Sequence, residues 1–159
     1  MSSDVTEDRL AEAIEQLSGA RALEDVTRIV RLTARDLSGA DGVTFVLRQG
    51  DYCYYADENA IRPLWKGRRF PVTSCISGWV MAHREAVAIE DVFVDPRIPH
   101  AAYRPTFVKS MAMVPVRDVD PIAAIGAYWA SPHLASEHEL RILKVLADAS
   151  ALALSRSHG

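Results

Sequence analysis

Two thiols, five imidazoles and one acidic step are the groups in this 159-residue chain equipped for chemistry, and their spacing limits what that chemistry is. Cys53 and Cys75 are too few for a disulfide framework and form no CxxC or Cys/His zinc pattern. Both are expected as reduced thiols, with a reactive thiol as the alternative. His83, His100, His133, His138 and His158 show no HExxH or other ligand spacing, so no metal site is expected. There is no GxSxG turn and no Cys/His/Asp set that sequence can bring together, which leaves catalysis without a nucleophile and base. Asp91 and Asp95 flank a tight step before Pro96; carboxylates there cap the next turn, or Asp91 faces a cationic or hydrogen-bonding ligand. Arg97 either pairs with Asp95 or offers its fork to a carboxylate or phosphate. His100 is the one candidate pocket histidine.

Binding has more to stand on than catalysis. Ser74 to Val116 is a long, irregular connection rich in Trp, Phe, Tyr and Met, which a compact domain rarely carries unless it covers something. The stretch reads as the wall of a small-molecule pocket. Its candidate lining joins Phe45, Tyr54 and Trp65 from earlier in the chain to Trp79, Asp91, His100, Phe107, Met111 and Met113. Met111 and Met113 share one face of a strand and would make an adaptable apolar floor.

The elements that must position these residues follow from hydrophobic period. Residues 4–18 read as a helix capped by Asp4, with Glu7 in a box-like position and Leu10, Ile14 and Leu17 at helical spacing. A second helix, about 22–37, carries Leu23, Val26, Val30, Thr33 and Leu37 on one stripe and ends at Gly39. The period then falls to two: 43–48 and 52–56 form a hairpin around Gln49-Gly50-Asp51. The connection from Asp57 to Arg69 drops a large aromatic into an apolar site, and Phe70-Pro71-Val72 is a short extended piece. Ser77 is the expected cap of a brief helix through Arg84, followed by a strand at 86–89. Three prolines confine 94–108 to one helical turn near His100–Tyr103. Strands at 110–116 and 122–130 flank a turn at 117–121, and Ser136 with Glu139 caps a terminal helix running to about Ser157.

Composition bounds the class. Apolar residues make up 49% and charged residues 25%, enough for one self-sufficient core and against disorder. Eighteen Lys and Arg against 21 Asp and Glu give a net charge of -3 without a basic run, so nucleic acid is not an expected partner. No stretch reaches the roughly 20 apolar residues of a membrane span, and the first residues lack a signal peptide's basic and apolar regions. A cytoplasmic chain with no membrane contact is expected. The terminal helix carries two apolar stripes, one through Leu143 and Ala147, the other through Ile142, Val145, Ala149 and Leu152. The second stripe is expected to meet a partner chain, together with Leu10, Ile14 and Leu17 of the first helix, or else to be covered by residues 4–18.

The order of elements is α+β, and several motifs in sequence resemble the GAF domain family: Gly78-Trp79-Val80, Asp91-Val92 to Asp95-Pro96-Arg97, Met113-Val114-Pro115-Val116 and Ile125-Gly126-Ala127. The resemblance implies an antiparallel sheet of five to six strands, with N- and C-terminal helices on one face and a loop-rich lid with a short helix on the other. It also implies that Ala127 and Trp129 face a ligand cavity under that lid. Residues 1–20 would then be a dimerisation or signalling helix, and 21–159 the sensory domain with its C-terminal signalling helix. The region 98–105 has His100 but no cysteine for covalent bilin, the cyclic-nucleotide Asn-Lys-Phe-Asp-Glu run is absent, and no cysteine follows Cys75 as in the free methionine sulfoxide reductases. The expected function is a non-catalytic, homodimeric, bacterial-type sensor of an unidentified small molecule, regulating an output domain or a partner such as a histidine kinase of a two-component system. A structural dimerisation module with a filled pocket and a reductase-like enzyme are the alternatives.

Overall fold

Gly39 marks where helix gives way to sheet, because its left-handed backbone (φ 70°) ends the second helix without the strain a side chain would bring. The computed structural model describes residues 3–117 and 119–158. Positions 1, 2 and 159 of the two expected segments and Asp118 of the expected turn lie outside the described residues, as does the side chain of His158. Helices α1 (Ser3–Ser18) and α2 (Leu23–Ser38) precede the hairpin β1 (Gly42–Gln49) and β2 (Tyr52–Ala60). Then come β3 (Arg69–Pro71), a 3-10 turn at Val72–Ser74, α3 (Ile76–His83), β4 (Val87–Ile89), a second 3-10 turn at Val92–Val94, and α4 (His100–Tyr103). Strands β5 (Ser110–Val116) and β6 (Ala123–Trp129) and helix α5 (Glu137–His158) complete the chain. The six strands form one antiparallel sheet in the order β3-β2-β1-β6-β5-β4.

Strand alternation divides the interior in two. On one face Val43 and Phe45 of β1, Ala112 and Val114 of β5 and Ile125, Ala127 and Trp129 of β6 pack with α1, α2 and α5. On the other, Val46, Cys53, Tyr55, Met111, Met113, Ala124 and Tyr128 pack with α3, α4 and the irregular segments. The central strand β6 is buried along its whole length, as a strand covered on both faces must be.

One irregularity matters for the site. In β2 the register moves from Val46↔Tyr55 to Phe45↔Asp57, so Ala56 has no partner and the strand is bulged there. The bulge puts Asp57 on the α2 face, where Arg31 Nη1 donates to it at 2.7 Å, and puts Glu58 opposite Thr44 on the lid face. Burial works to raise the Asp57 carboxyl, but hydrogen bonds from Arg31, Thr27, the Glu58 N–H and Lys66 outweigh it and hold the group below the usual range.

The termini of the helices carry two corrections. Asp4 lies within the first turn of α1 rather than ahead of it, and α3 is preceded by Cys75, with Ser77 inside the helix. The C-terminal helix begins as its sequence predicts: Ser136 N donates to Glu139 Oε1 at 2.8 Å and Glu139 N donates to Ser136 Oγ at 3.1 Å.

A third correction concerns the proposed partner face. Leu10, Leu17 and Ile142 are buried within the chain itself, since α1 docks on α2 and α5. Arg156 Nη2 caps the carbonyls of Leu17 and Ser18 at 3.1 Å each, and Arg141 donates to Glu7, so both ends of α1 are tied to α5. Val145 and Ala149 are half-buried, and Ile14 and Leu152 are exposed. No helix among the described residues is long and apolar enough to cross a membrane.

Candidate functional site

The space between the sheet and its lid is filled. Trp65 comes from the connection after β2 and is only 2% exposed, its ring 5.6 Å from Tyr55, 4.6 Å from Tyr103 and 5.3 Å from Tyr128. Three successive backbone N–H groups, of Leu64, Trp65 and Lys66, donate to the Glu58 carboxylate at 2.9 Å, which fixes the loop that delivers the indole. The indole N–H in turn donates to Ala102 O at 3.0 Å and so ties α4 to the sheet. Met111, Met113 and Phe107 close around this cluster, and Tyr128 Oη meets Thr44 Oγ1 at 2.9 Å. Truncating a buried ring of this size typically costs about 3–5 kcal/mol.

Of the predicted lining residues, Trp65, Phe107, Met111 and Met113 therefore lie on the lid side together, as part of its packing. Phe45, Ala127 and Trp129 do not join them. Met111 pairs with Tyr128 and Met113 with Gly126, so the lid face of β6 carries Gly126 and Tyr128, while Ala127 and Trp129 point to the helices. Phe45 is on the helix side for the same reason of alternation. Tyr54 points away from Cys53 and Tyr55 and packs under Arg69, whose guanidinium carbon is 4.5 Å from the ring centre. Asp91 caps the second 3-10 turn, accepting from Phe93 N at 3.0 Å, and His100 Nε2 lies 2.9 Å from Asp95 O with its ring against Phe93.

The open site lies at the edge of the lid, around Trp79. A cleft of about 440 Å³ runs between α3 and the Pro96–Pro99 segment, walled by Val72, Cys75, Gly78, Trp79, Met81, Ala82, Ile98 and both prolines, with Arg48, His83 and Arg97 among its lining. It is predominantly apolar with a small cationic set, the composition of a small-molecule site. Gly78 allows its shape: a Cβ there would stand 1.8 Å from Val72 O, so only glycine lets α3 press onto the preceding 3-10 turn. Arg97 is posed by Asp95, to which Nε and Nη2 donate at 3.0 and 2.7 Å, and its guanidinium carbon sits 4.4 Å from the Trp79 ring centre. His83 stacks on the same indole at 4.1 Å.

Sulfur lines one wall. Ser77 Oγ donates to Cys75 Sγ at 3.3 Å, Tyr55 Oη is 3.2 Å from Ser77 Oγ, and Cys53 is buried in the same lid-side cluster. Donation from Cys53, Ser77 and the N–H groups of Gly78 and Ser77 pulls the Cys75 thiol below its ordinary value, while the same bond and burial push Cys53 up. When Cys75 carries its proton, Pro71 O at 3.4 Å is the acceptor.

Arg48 was outside the sequence-based candidates; Ala82, Pro96, Ile98 and Pro99 lie in the stretch read as a pocket wall without being singled out as lining. Gly78 beside bulky Trp79 was the readable sign of a close approach. Among the described residues no group of three or more His, Cys, Asp or Glu is placed to hold a metal ion.

The hydrogen bonds from Arg97 hold the Asp95 carboxyl below the usual carboxylate range. A carboxyl depressed in the folded state adds stability above its unfolded value, about 3.9, and loses it as pH falls through the lower folded value. The gap in urea midpoint between the parent chain and Asp95→Asn is therefore expected to be constant from pH 8 to 5 and to close below about pH 4. A gap unchanged down to pH 3 would contradict the Asp95–Arg97 pairing as the source.

Comparison with known proteins bears on the fold and the family. The GAF domain of a phosphoenolpyruvate-protein phosphotransferase from Acinetobacter superposes with a TM-score of 0.83 at 17% identity, covering 99% of this chain and 97% of that one. Free methionine-R-sulfoxide reductase from Neisseria meningitidis, solved with its substrate, gives 0.81 at 20% identity, covering 99% and 95%. The chromophore-binding domain of a bacteriophytochrome from R. palustris gives 0.82 at 13% identity, covering 99% of this chain and 63% of that one. No curated protein matches the sequence. The family description "GAF domain" matches residues 20–155, and the chain belongs to the GAF domain family of sensory and signalling modules.

Proposed function

We propose that this chain is a non-catalytic sensory module whose effector binds in the cleft beside Trp79 rather than under the centre of the lid. The observation that carries the reading is the contrast between the two places: Trp65 fills the centre, whereas the edge offers about 440 Å³ with apolar walls and three cationic or imidazole side chains. Arg97 is held in a fixed pose by Asp95 and Trp79, so its orientation is set before a ligand arrives. The matching ligand is a small molecule with a flat apolar body and a carboxylate or phosphate. Asp91 and His100, occupied by local hydrogen bonds, support the lid and not the ligand.

Residues 1–20 and α5 would carry the output, with 21–159 as the sensory domain. A second copy of the chain is the proposed partner, meeting the face that Ile14, Val145, Ala149 and Leu152 leave uncovered, and an output domain or a partner such as a histidine kinase is the proposed recipient in the cytoplasm. A ligand shifts that output only if it binds two helix arrangements with different affinity. The filled interior favours one other reading, a structural dimerisation module with no effector.

A thermal-shift panel of aromatic carboxylates and phosphates separates the two. At a hundredfold excess over Kd a ligand adds about 2.7 kcal/mol, roughly 5–10 °C in Tm for a chain this size. Ala82→Phe, at an exposed position lining the cleft, is expected to abolish the shift without lowering the Tm of the free protein. Shifts that survive in Ala82→Phe, or their absence in the parent chain, would remove the effector reading. For assembly, native mass spectrometry is expected to report a dimer that Leu152→Glu turns into monomer; a parent monomer at micromolar concentration would overturn it.

A further inference from the structure

The cleft beside Trp79 holds two guanidiniums whose charges are not equivalent. Arg97 is matched locally: Nε and Nη2 both donate to Asp95, so its outward edge is reduced to the Nη1 side. Those bonds also keep the Asp95 carboxyl ionised at neutral pH, and the two charges cancel. Arg48 is different. It follows Val46 by two residues on β1 and lies opposite Cys53, both of which are on the lid face, so alternation sends it to the same side. Its Nε donates to Gly50 O at 3.2 Å, and among the described residues no carboxylate pairs with it. The two terminal nitrogens are left as a flat edge that a carboxylate can meet with parallel hydrogen bonds.

Position adds to charge. Val72 N donates to Asp51 O at 2.9 Å, which brings the β1–β2 turn, and Arg48 beside it, to the end of the cleft where α3 begins. His83 closes the last turn of α3, about 10 Å further along the helix. Its Nδ1 lies 2.9 Å from Trp79 O; a carbonyl only accepts, so Nδ1 carries the hydrogen and the ring is charged only when Nε2 takes up a second one. Among the described residues no carboxylate lines the cleft. With the imidazole neutral, the unmatched charge of the site is one guanidinium at one end, with apolar walls beyond it.

We propose, on the reading of the cleft as the effector site, that it selects a monoanion, the carboxylate of a flat organic acid, and that Arg48 is the residue that anchors it. Arg97 and Asp95 brace the Trp79 wall against which the flat body lies and add no net charge. A phosphate monoester carries close to two negative charges above its second pKa, about 6. Arg48 matches one of them, and the other would enter an apolar cleft unpaired.

The test uses three probes that share one flat body and differ in charge: 2-naphthoate, 2-naphthamide and 2-naphthyl phosphate. Each is titrated into the full chain by calorimetry at pH 8, above the ordinary range of imidazole. The parent chain is expected to bind 2-naphthoate about tenfold more tightly than either of the others, with its lead over the amide shrinking as salt is added. Arg48→Gln is expected to bring 2-naphthoate down to the affinity of the amide and to leave the amide unchanged, while Arg48→Lys keeps part of the preference. Asp95→Asn releases the charge of Arg97 and is expected to strengthen binding of 2-naphthyl phosphate. Circular dichroism checks that each variant folds; if one does not, the ranking of the three probes on the parent chain still decides. The proposal is overturned if the parent chain binds the phosphate as tightly as the carboxylate, if Arg48→Gln binds 2-naphthoate as the parent does, or if Asp95→Asn binds the phosphate no better. In each of those cases binding that Ala82→Phe blocks leaves the effector cleft standing. A parent chain that binds none of the three overturns the proposal as well, and the wider thermal-shift panel then decides the effector reading by itself.

Discussion

The lid side of this domain depends on the capture of one loop by one carboxylate. Glu58 gathers three consecutive backbone N–H groups, and that arrangement aims Trp65 into the layer between sheet and lid, where Tyr55, Tyr103 and Tyr128 enclose it. Burying an indole this completely requires a partner for its N–H, and Ala102 O supplies one. The lid is therefore fastened to the sheet through a side chain from neither, and the short α4 has a reason to exist. The bulge at Ala56 stands upstream of all of this, because without the extra residue Glu58 and Asp57 would exchange faces.

Filling the centre moves the accessible site to the edge. Where the domain could have held a ligand against the floor of Met111 and Met113, it holds its own tryptophan, and the cleft at the edge is bounded by α3, the 3-10 turn before it and the Pro96–Pro99 segment. Those walls are stiff for separable reasons: Gly78 packs against Val72 backbone, prolines fix the opposite side, and the Asp95–Arg97 fork sits over Trp79. Helix α3 forms one wall of the cleft and packs its other side into the lid-side core.

Much of this was readable from the residues. The change of period at Gly39, the hairpin, the single helical turn among three prolines and the Ser136–Glu139 box are local signals, and the structure carries each of them. The apolar destination of Trp65 was legible too, since a tryptophan in a polar connection needs cover. What sequence could not supply was phase between strands. Alternation says that Ala127 and Trp129 share a face and that Met111 and Met113 share a face, but not whether the two faces coincide; the register pairs Met111 with Tyr128 and so separates them. The stripe through Ile142 was ambiguous in a similar way, because a helix records an apolar face without recording whether α1 or another chain covers it.

The three tryptophans report the three environments separately: Trp65 in the lid-side interior, Trp129 on the helix side, and Trp79 in the cleft. Their indole N–H resonances in a two-dimensional nitrogen–proton spectrum therefore locate any bound molecule directly. Titration with a compound that raises the melting temperature is predicted to move the Trp79 signal while Trp65 and Trp129 stay in place. Movement of Trp65 with Trp79 unchanged would contradict the account, because it would mean that the packed interior opens to admit the ligand.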